Sequence, residues 1–239
     1  MTNDPITNAA NDITTEVVKS ALGLMYKPIS EFLSVNRAKF FENFESYCNL
    51  VYRKCSNLRT LYAKSKAVSI DELYIETHFE QDGHRYSDEE LLEFFAEGRR
   101  LVIKGNGGSG KTIFMKYLWI ERFRCSEGKI PIFVELRPLN DLNHIDLATF
   151  CRNELQSDMS FGDGVFDKLC AAGKFEFIFD GFDEINRAHR KTVERQILSL
   201  SEQYRDCSFL VSGREDDRFT SWGNFEIYSV APLRIENVK

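Results

Sequence analysis

Several features are missing from this 239-residue chain, and each absence removes a class of function. Six cysteines stand at 48, 55, 125, 151, 170 and 207, and no two form Cys-x-x-Cys. That spacing argues against a zinc module or a disulfide framework. Several lie inside apolar runs, where cysteine acts as a small buried residue of a reducing compartment. No run is long and apolar enough to span a bilayer: the stretch Val17–Tyr26 is short and carries Lys19. Residues 1–16 are polar, rich in Asn and Thr, and lack the basic start of a secretory signal. The cytoplasm is therefore the default location. Positive charge is in deficit, with 31 Lys and Arg against 37 Asp and Glu and a net charge of −6, which argues against wholesale nucleic-acid binding. The remainder is ordinary globular composition, 43% hydrophobic and 28% charged.

The charge is unevenly spread. Residues 1–66 carry nine Lys and Arg against six Asp and Glu, whereas residues 67–98 carry one Arg against ten acids. From Gly98 onward the signs balance. This divides the chain into an N-terminal helical segment (1–66), an acidic connector (67–98) and a larger unit (99–239). In the first, residues 1–10 read as frayed, Asn11 or Asp12 as the cap of a helix, and Pro28 as the first turn of a second helix. Phe40, Phe44, Tyr47, Val51, Cys55, Leu58 and Tyr62 recur at helical spacing and predict a packing face. Arg53, Lys54, Arg59, Lys64 and Lys66 gather near its end. The connector predicts a short extended segment, a turn at Gln81–His84, and a helix opened by the capping box Ser87-Asp88-Glu89-Glu90 and closed by Gly98.

The third unit opens on Leu101-Val102-Ile103-Lys104 followed by Gly105-Asn106-Gly107-Gly108-Ser109-Gly110-Lys111-Thr112. An apolar strand, a Gly-x-x-x-x-Gly-Lys-Thr loop and a helix-forming segment, in that order, form a P-loop. The glycines let successive amides turn inward as an anion cradle, and the following helix adds its positive end. Gly105–Thr112 and Ile113 are the candidate nucleotide contacts. Lys111 can reach the β- and γ-phosphates, and the Thr112 hydroxyl can ligate Mg²⁺.

Downstream the pattern alternates between helix and strand. Strands are expected near Ile130–Leu136, with Pro131 marking an edge, and at Phe175–Asp180, Cys207–Ser212 and Phe225–Val230. Helices are expected over Lys111–Phe123, from the cap Asp146 to Leu155, over Val165–Ala172 and over Arg190–Tyr204. This is an α/β fold with a parallel sheet covered on both faces. The strand Phe177-Ile178-Phe179 delivers Asp180 at its carboxyl end, where it can hold Mg²⁺ directly or through water. Asp183 or Glu184 can orient or deprotonate an attacking water. Ser212-Gly213-Arg214 ends a neighbouring strand, and Arg214 there can sense a γ-phosphate or pair locally with Glu215 or Asp216.

Gly105–Thr112, Asp180-Gly181-Phe182-Asp183-Glu184 and Ser212-Gly213-Arg214 together resemble the NACHT family of STAND NTPases, over about residues 68–235. The small residue after the strand-end Asp, followed by an acidic pair, carries most of the likeness; at the third motif this chain inserts Gly213. The resemblance implies a five-stranded parallel P-loop NTPase sheet of order 5-1-4-3-2, flanked by helices. It implies a slow Mg²⁺-dependent ATPase with ATP, ADP and Mg²⁺ as ligands. It also implies a switch, closed with ADP and oligomeric with ATP. Bacterial NACHT proteins with a short helical N-terminus resemble animal immune receptors, and many act against phage. The implied partners are nucleotide, further copies of the chain, a trigger such as a phage product, and an effector; nothing points to a membrane or nucleic acid. Similar proteins also bring an upstream segment against the base, which here is Tyr74 and Ile75. The family's helical and winged-helix parts would lie beyond Lys239. The alternative reading is a constitutive scaffold, with the Phe40–Tyr62 face as its working surface and nucleotide as a structural ligand.

Overall fold

A computed structural model describes residues 5–31, 37–58, 68–155 and 164–232. In chain order the elements are α1 (Pro5–Ser30), α2 (Arg37–Ser56), β1 (Asn57–Leu58), β2 (Val68–Ser69), α3 (Ile70–Leu73), β3 (His78–Gln81), β4 (His84–Ser87), α4 (Asp88–Ala96) and β5 (Arg100–Lys104). They continue with α5 (Lys111–Arg124), β6 (Ile130–Glu135), α6 (Leu147–Glu154), α7 (Val165–Ala171), β7 (Phe175–Asp180), α8 (Arg187–Gln203), β8 (Ser208–Gly213) and β9 (Glu226–Val230). Three short 3-10 turns occupy Arg137–Asp141, Phe182–Glu184 and Asp217–Ser221.

The main sheet has the order β4-β3-β9-β5-β8-β7-β6. Its parallel part, β9-β5-β8-β7-β6, has the order 5-1-4-3-2 that the family resemblance implies. The strand count differs from the expected five. The acidic connector folds into a β3–β4 hairpin, and β3 pairs antiparallel with β9 through Phe79↔Val230 and Glu80↔Ser229. The sheet is therefore mixed and seven-stranded. The hairpin turns at Asp82 and Gly83, both left-handed, as a tight connection requires.

Local signals hold where they were strongest. Ser87 caps α4, accepting from Glu90 N while the Glu90 side chain accepts from Ser87 N. Asp146 caps α6. Strand β6 lies at the sheet edge, as Pro131 suggests. Its outward groups are covered: Trp119 Nε1 donates to Pro131 O at 3.0 Å, and Phe133 N donates to the buried Tyr47 hydroxyl at 3.3 Å.

The N-terminal boundaries differ from expectation. Helix α1 starts at Pro5, a residue suited to a first helical position, and runs unbroken through Asn11 and Asp12. Pro28 lies inside the end of α1 rather than opening a second helix. A tertiary contact accounts for it: Pro28 packs so tightly on Gly128 that a Cβ there would lie 2.7 Å from its Cγ. Helix α2 ends at Ser56, so Leu58 belongs to β1, while Tyr62, Arg59, Lys64 and Lys66 fall outside the described residues. Phe44, Tyr47, Val51 and Cys55 are buried, and α2 lies against α1 and α5.

Candidate functional site

The site forms at the carboxyl edge of the parallel strands. β5 leads into the loop Gly105–Gly110, and the first bond of α5 runs from Phe114 N to Gly110 O at 2.9 Å. Gly110 caps the helix with no side chain, leaving the amides of Lys111, Thr112 and Ile113 as open N-terminal donors. Such donors at a helix start favour an anion. Gly105 has space for hydrogen alone, since a Cβ would meet Ser109 Oγ at 2.8 Å and Val230 Cβ at 3.3 Å. Lys111 folds back over the cradle, its Nζ donating to Gly105 O at 2.7 Å, Asn106 O at 2.9 Å and Ser109 Oγ at 3.4 Å. Burial lowers the Lys111 ammonium from its ordinary value; Asp183 and Asp180 oppose that shift and Arg214 adds to it.

Across the loop, β7 brings Asp180 to Thr112. The Thr112 hydroxyl donates to Asp180 Oδ1 at 3.3 Å. The same oxygen accepts from Ser212 Oγ at 2.5 Å, and Ser212 in turn accepts from Gly181 N at 2.9 Å. Asp180 and Ser212 are both buried. Burial pushes the Asp180 carboxyl above its usual range, against the downward pull of the Ser212 and Thr112 bonds. Ser212 stands at the strand end two residues before Arg214, and its bonds run across the sheet. Its hydroxyl joins β8 to β7, and only the order of strands could have revealed that partner.

The donors fit magnesium with a bound nucleotide. One hydroxyl and one carboxylate converge beside a phosphate cradle, and Mg²⁺ takes its remaining ligands from phosphate and water. Among the described residues no group of three or more His, Cys, Asp or Glu is built to hold a metal alone. Thr112 and Asp180 are the residues that would hold it.

After Asp180 the chain turns left-handed at Gly181 and enters the 3-10 turn Phe182–Glu184. Arg214 does not pair with its chain neighbours. Its Nε lies 2.9 Å from Asp183 Oδ2, and its guanidinium lies over Gly107, 3.4 Å from where a Cβ would stand. Glu215 pairs instead with Lys104 at 2.5 Å, and Asp216 with Arg190 at 3.6 Å. Three successive residues thus tie the end of β8 to the acidic turn, to β5 and to α8. The inserted Gly213 makes room beneath them, where a Cβ would lie 2.9 Å from Phe219 Cζ. Phe182, Phe219 and Trp222 cluster there with ring centroids 5.0 to 5.4 Å apart. A cleft of about 430 Å³ opens between the acidic turn and the Arg214–Asp216 segment. Glu184 is exposed on this cleft, its carboxylate folded against Gly181 and its backbone oxygen bound by Asn140 Nδ2 at 2.9 Å.

Tyr74 and Ile75 sit just before β3, whose start lies beside the end of β9 at the same edge as the P-loop. Tyr74 is committed: its ring stacks on Tyr117 at 3.7 Å, and its hydroxyl donates to the buried Asp88 at 2.5 Å. Ile75 remains 36% exposed. His189 is half-buried in the first turn of α8.

No curated protein matches the chain. The family model of the NACHT domain matches residues 99–238, which begins at the P-loop strand and takes in Asp180–Glu184 and the Arg214 segment. That is more than half of the molecule, so this chain belongs to the NACHT family of nucleotide-binding P-loop NTPases.

Proposed function

We propose that the protein binds ATP and ADP with Mg²⁺, hydrolyses ATP slowly, and uses its nucleotide state to control self-association. The observation that carries this reading is the convergence on one edge of Lys111, Thr112, Asp180, Asp183 and Arg214, drawn from α5, β7 and the two turns beyond the strands. Gly105, Asn106, Gly107, Gly108, Ser109 and Gly110 would receive the phosphates, with Ile113 on the same rim and Ile75 beside the base.

Bound magnesium would neutralise phosphate charge; the chain's own groups do the rest. Lys111 leaves the loop carbonyls for the β- and γ-phosphates. Asp183 holds Arg214 over Gly107, where its charge can meet the charge that develops on the transferred phosphoryl group. Glu184, exposed on the cleft, takes the proton from the attacking water. The three-part division at 66/67 and 98/99 belongs to the same reading, with the N-terminal helices as the part that responds. A cytoplasmic setting accords with six free cysteines, five of them buried. The antiphage role, with its trigger and effector, is carried over from the family resemblance.

Glu184→Gln provides the test. It should retain ATP while turnover falls by about 10² to 10⁴. Mass photometry of that variant in ATP and of the parent in ADP should then give different assemblies. Identical masses would favour the constitutive scaffold instead.

A further inference from the structure

Among the described residues, Arg190 is the basic side chain outside the Arg214 segment that binds both halves of the cleft. It lies in the first turn of α8 and is half-buried. Its Nη2 donates to Asp183 O and to Ile185 O, each at 3.0 Å, and its Nε donates to Ile185 O at 3.3 Å. Its Nη1 lies 3.6 Å from Asp216 Oδ2.

The carbonyls it binds are those of the acidic turn. That turn spans Gly181–Ile185, and other bonds hold most of its remaining backbone groups. Gly181 N donates to Ser212, Glu184 N to Gly181 O at 2.9 Å, and Ile185 N to Phe182 O at 3.3 Å. Asn140 holds Glu184 O and accepts from Asn186 N at 2.8 Å. The carbonyls of Asp183 and Ile185 would be left without partners if Arg190 were removed. They flank the residue whose carboxylate faces the cleft. Asp216 lies two positions beyond Arg214 and also caps the 3-10 turn Asp217–Ser221 by accepting from Arg218 N at 3.1 Å.

We propose that Arg190 is a positioning residue: its planar fork fixes Asp183 and Glu184 relative to Arg214, so that the acid turn and the Arg214 segment move as one unit. This rests on the reading of the site as an ATPase. A guanidinium suits the task because three donors leave it in fixed directions, two toward carbonyls and one toward a carboxylate. A lysine ammonium has no such fork and cannot span the same three oxygens. The role differs from simple fold maintenance, because phosphate binding at the P-loop uses none of these contacts.

The test uses the full chain carrying Arg190→Ala, Arg190→Lys or Asp216→Asn. The last removes the charge at one end of the link while keeping a competent cap. ADP affinity should stay within about threefold of the parent, while the single-turnover rate of ATP cleavage falls by at least about tenfold in Arg190→Ala and recovers little in Arg190→Lys. Asp216→Asn should fall in the same direction by less, and it carries the test where Arg190→Ala does not fold. An unchanged rate, full rescue by lysine, or a parallel loss of ADP affinity and rate would overturn the proposal. If the parent binds ATP without cleaving it, the ATPase reading fails and hydrogen exchange decides about Arg190. Faster exchange confined to the amides of 183–186 and 214–217 in Arg190→Ala supports the clamp, and any other pattern overturns it.

Discussion

Asp180 shows most clearly how a single group is tuned here. It is buried, it accepts two hydroxyl bonds, and among the described residues no cation lies within ion-pair distance of it. Burial dominates, so its carboxyl is raised above the ordinary value of about 3.9. The sign follows from linkage. The folded state binds the proton more tightly than the unfolded state, so ionised Asp180 costs stability at neutral pH, and that cost is relieved as pH falls through the raised value. Cation binding has the opposite dependence, since it needs the ionised form. The gain in ATP affinity conferred by Mg²⁺ should therefore be present at neutral pH and disappear on acidification before an ordinary carboxylate would titrate. Asp180→Asn should abolish that gain and raise the melting temperature of the nucleotide-free protein. Calorimetric titration of ATP with and without Mg²⁺ across pH, with thermal melts alongside, checks both. At this scale the sequence was informative about residue types and silent about pairing. It put forward Lys111, Thr112, Asp180, Asp183, Glu184 and Arg214 because their spacing from the strands is local. It could not show that Ser212 binds Asp180 or that Arg214 reaches Asp183, because those bonds cross between neighbouring strands. Arg190 left no local signal, for its partners are two backbone oxygens and a carboxylate beyond the next strand.

At the scale of elements, α5 determines where the site stands. It is held to β7 at both ends, by Thr112 on Asp180 and by the buried pair of Arg122 with Glu176 at 2.8 Å. Ten helical residues rise about 15 Å, and four strand residues span about 13 Å, so the two clamps match in length. Burial raises the Glu176 carboxyl even with Arg122 beside it, which means the ion pair is held at a desolvation cost. Truncating either partner to Ala should destabilise the protein by about 3 to 5 kcal/mol, whereas Arg122→Met combined with Glu176→Leu should cost much less. Urea unfolding of the three variants reads this directly. The helix ends and the parallel strands were legible because caps, glycines and apolar runs are local signals. The hairpin's place in the sheet was not: β3 pairs with β9, about 150 residues away in sequence, and a strand of mixed polarity reads only as an extended segment before a turn, with no sign of its partner. Pro28 misled for a related reason. A proline near a helix boundary suggests a start, and only the contact with Gly128 explains an end.

For the whole molecule, the parallel strands and their order form a platform whose carboxyl edge gathers residues from four separate stretches of chain. The acidic hairpin extends that platform past β9, and α1 and α2 cover α5 and the outer edge of β6. The N-terminal helices therefore touch the helix that begins at the phosphate cradle, and under the proposed switch that contact would carry nucleotide state to them. Everything in this account depends on the cradle holding nucleotide through Lys111. The most direct measurement is calorimetric titration of Mg²⁺-ATP into the parent chain and into Lys111→Ala, with matched melting curves to show that both are folded. Saturable binding by the parent and a loss of at least about 100-fold in the variant, roughly 2.7 kcal/mol, is the predicted result. Equal affinity in two folded proteins would contradict it.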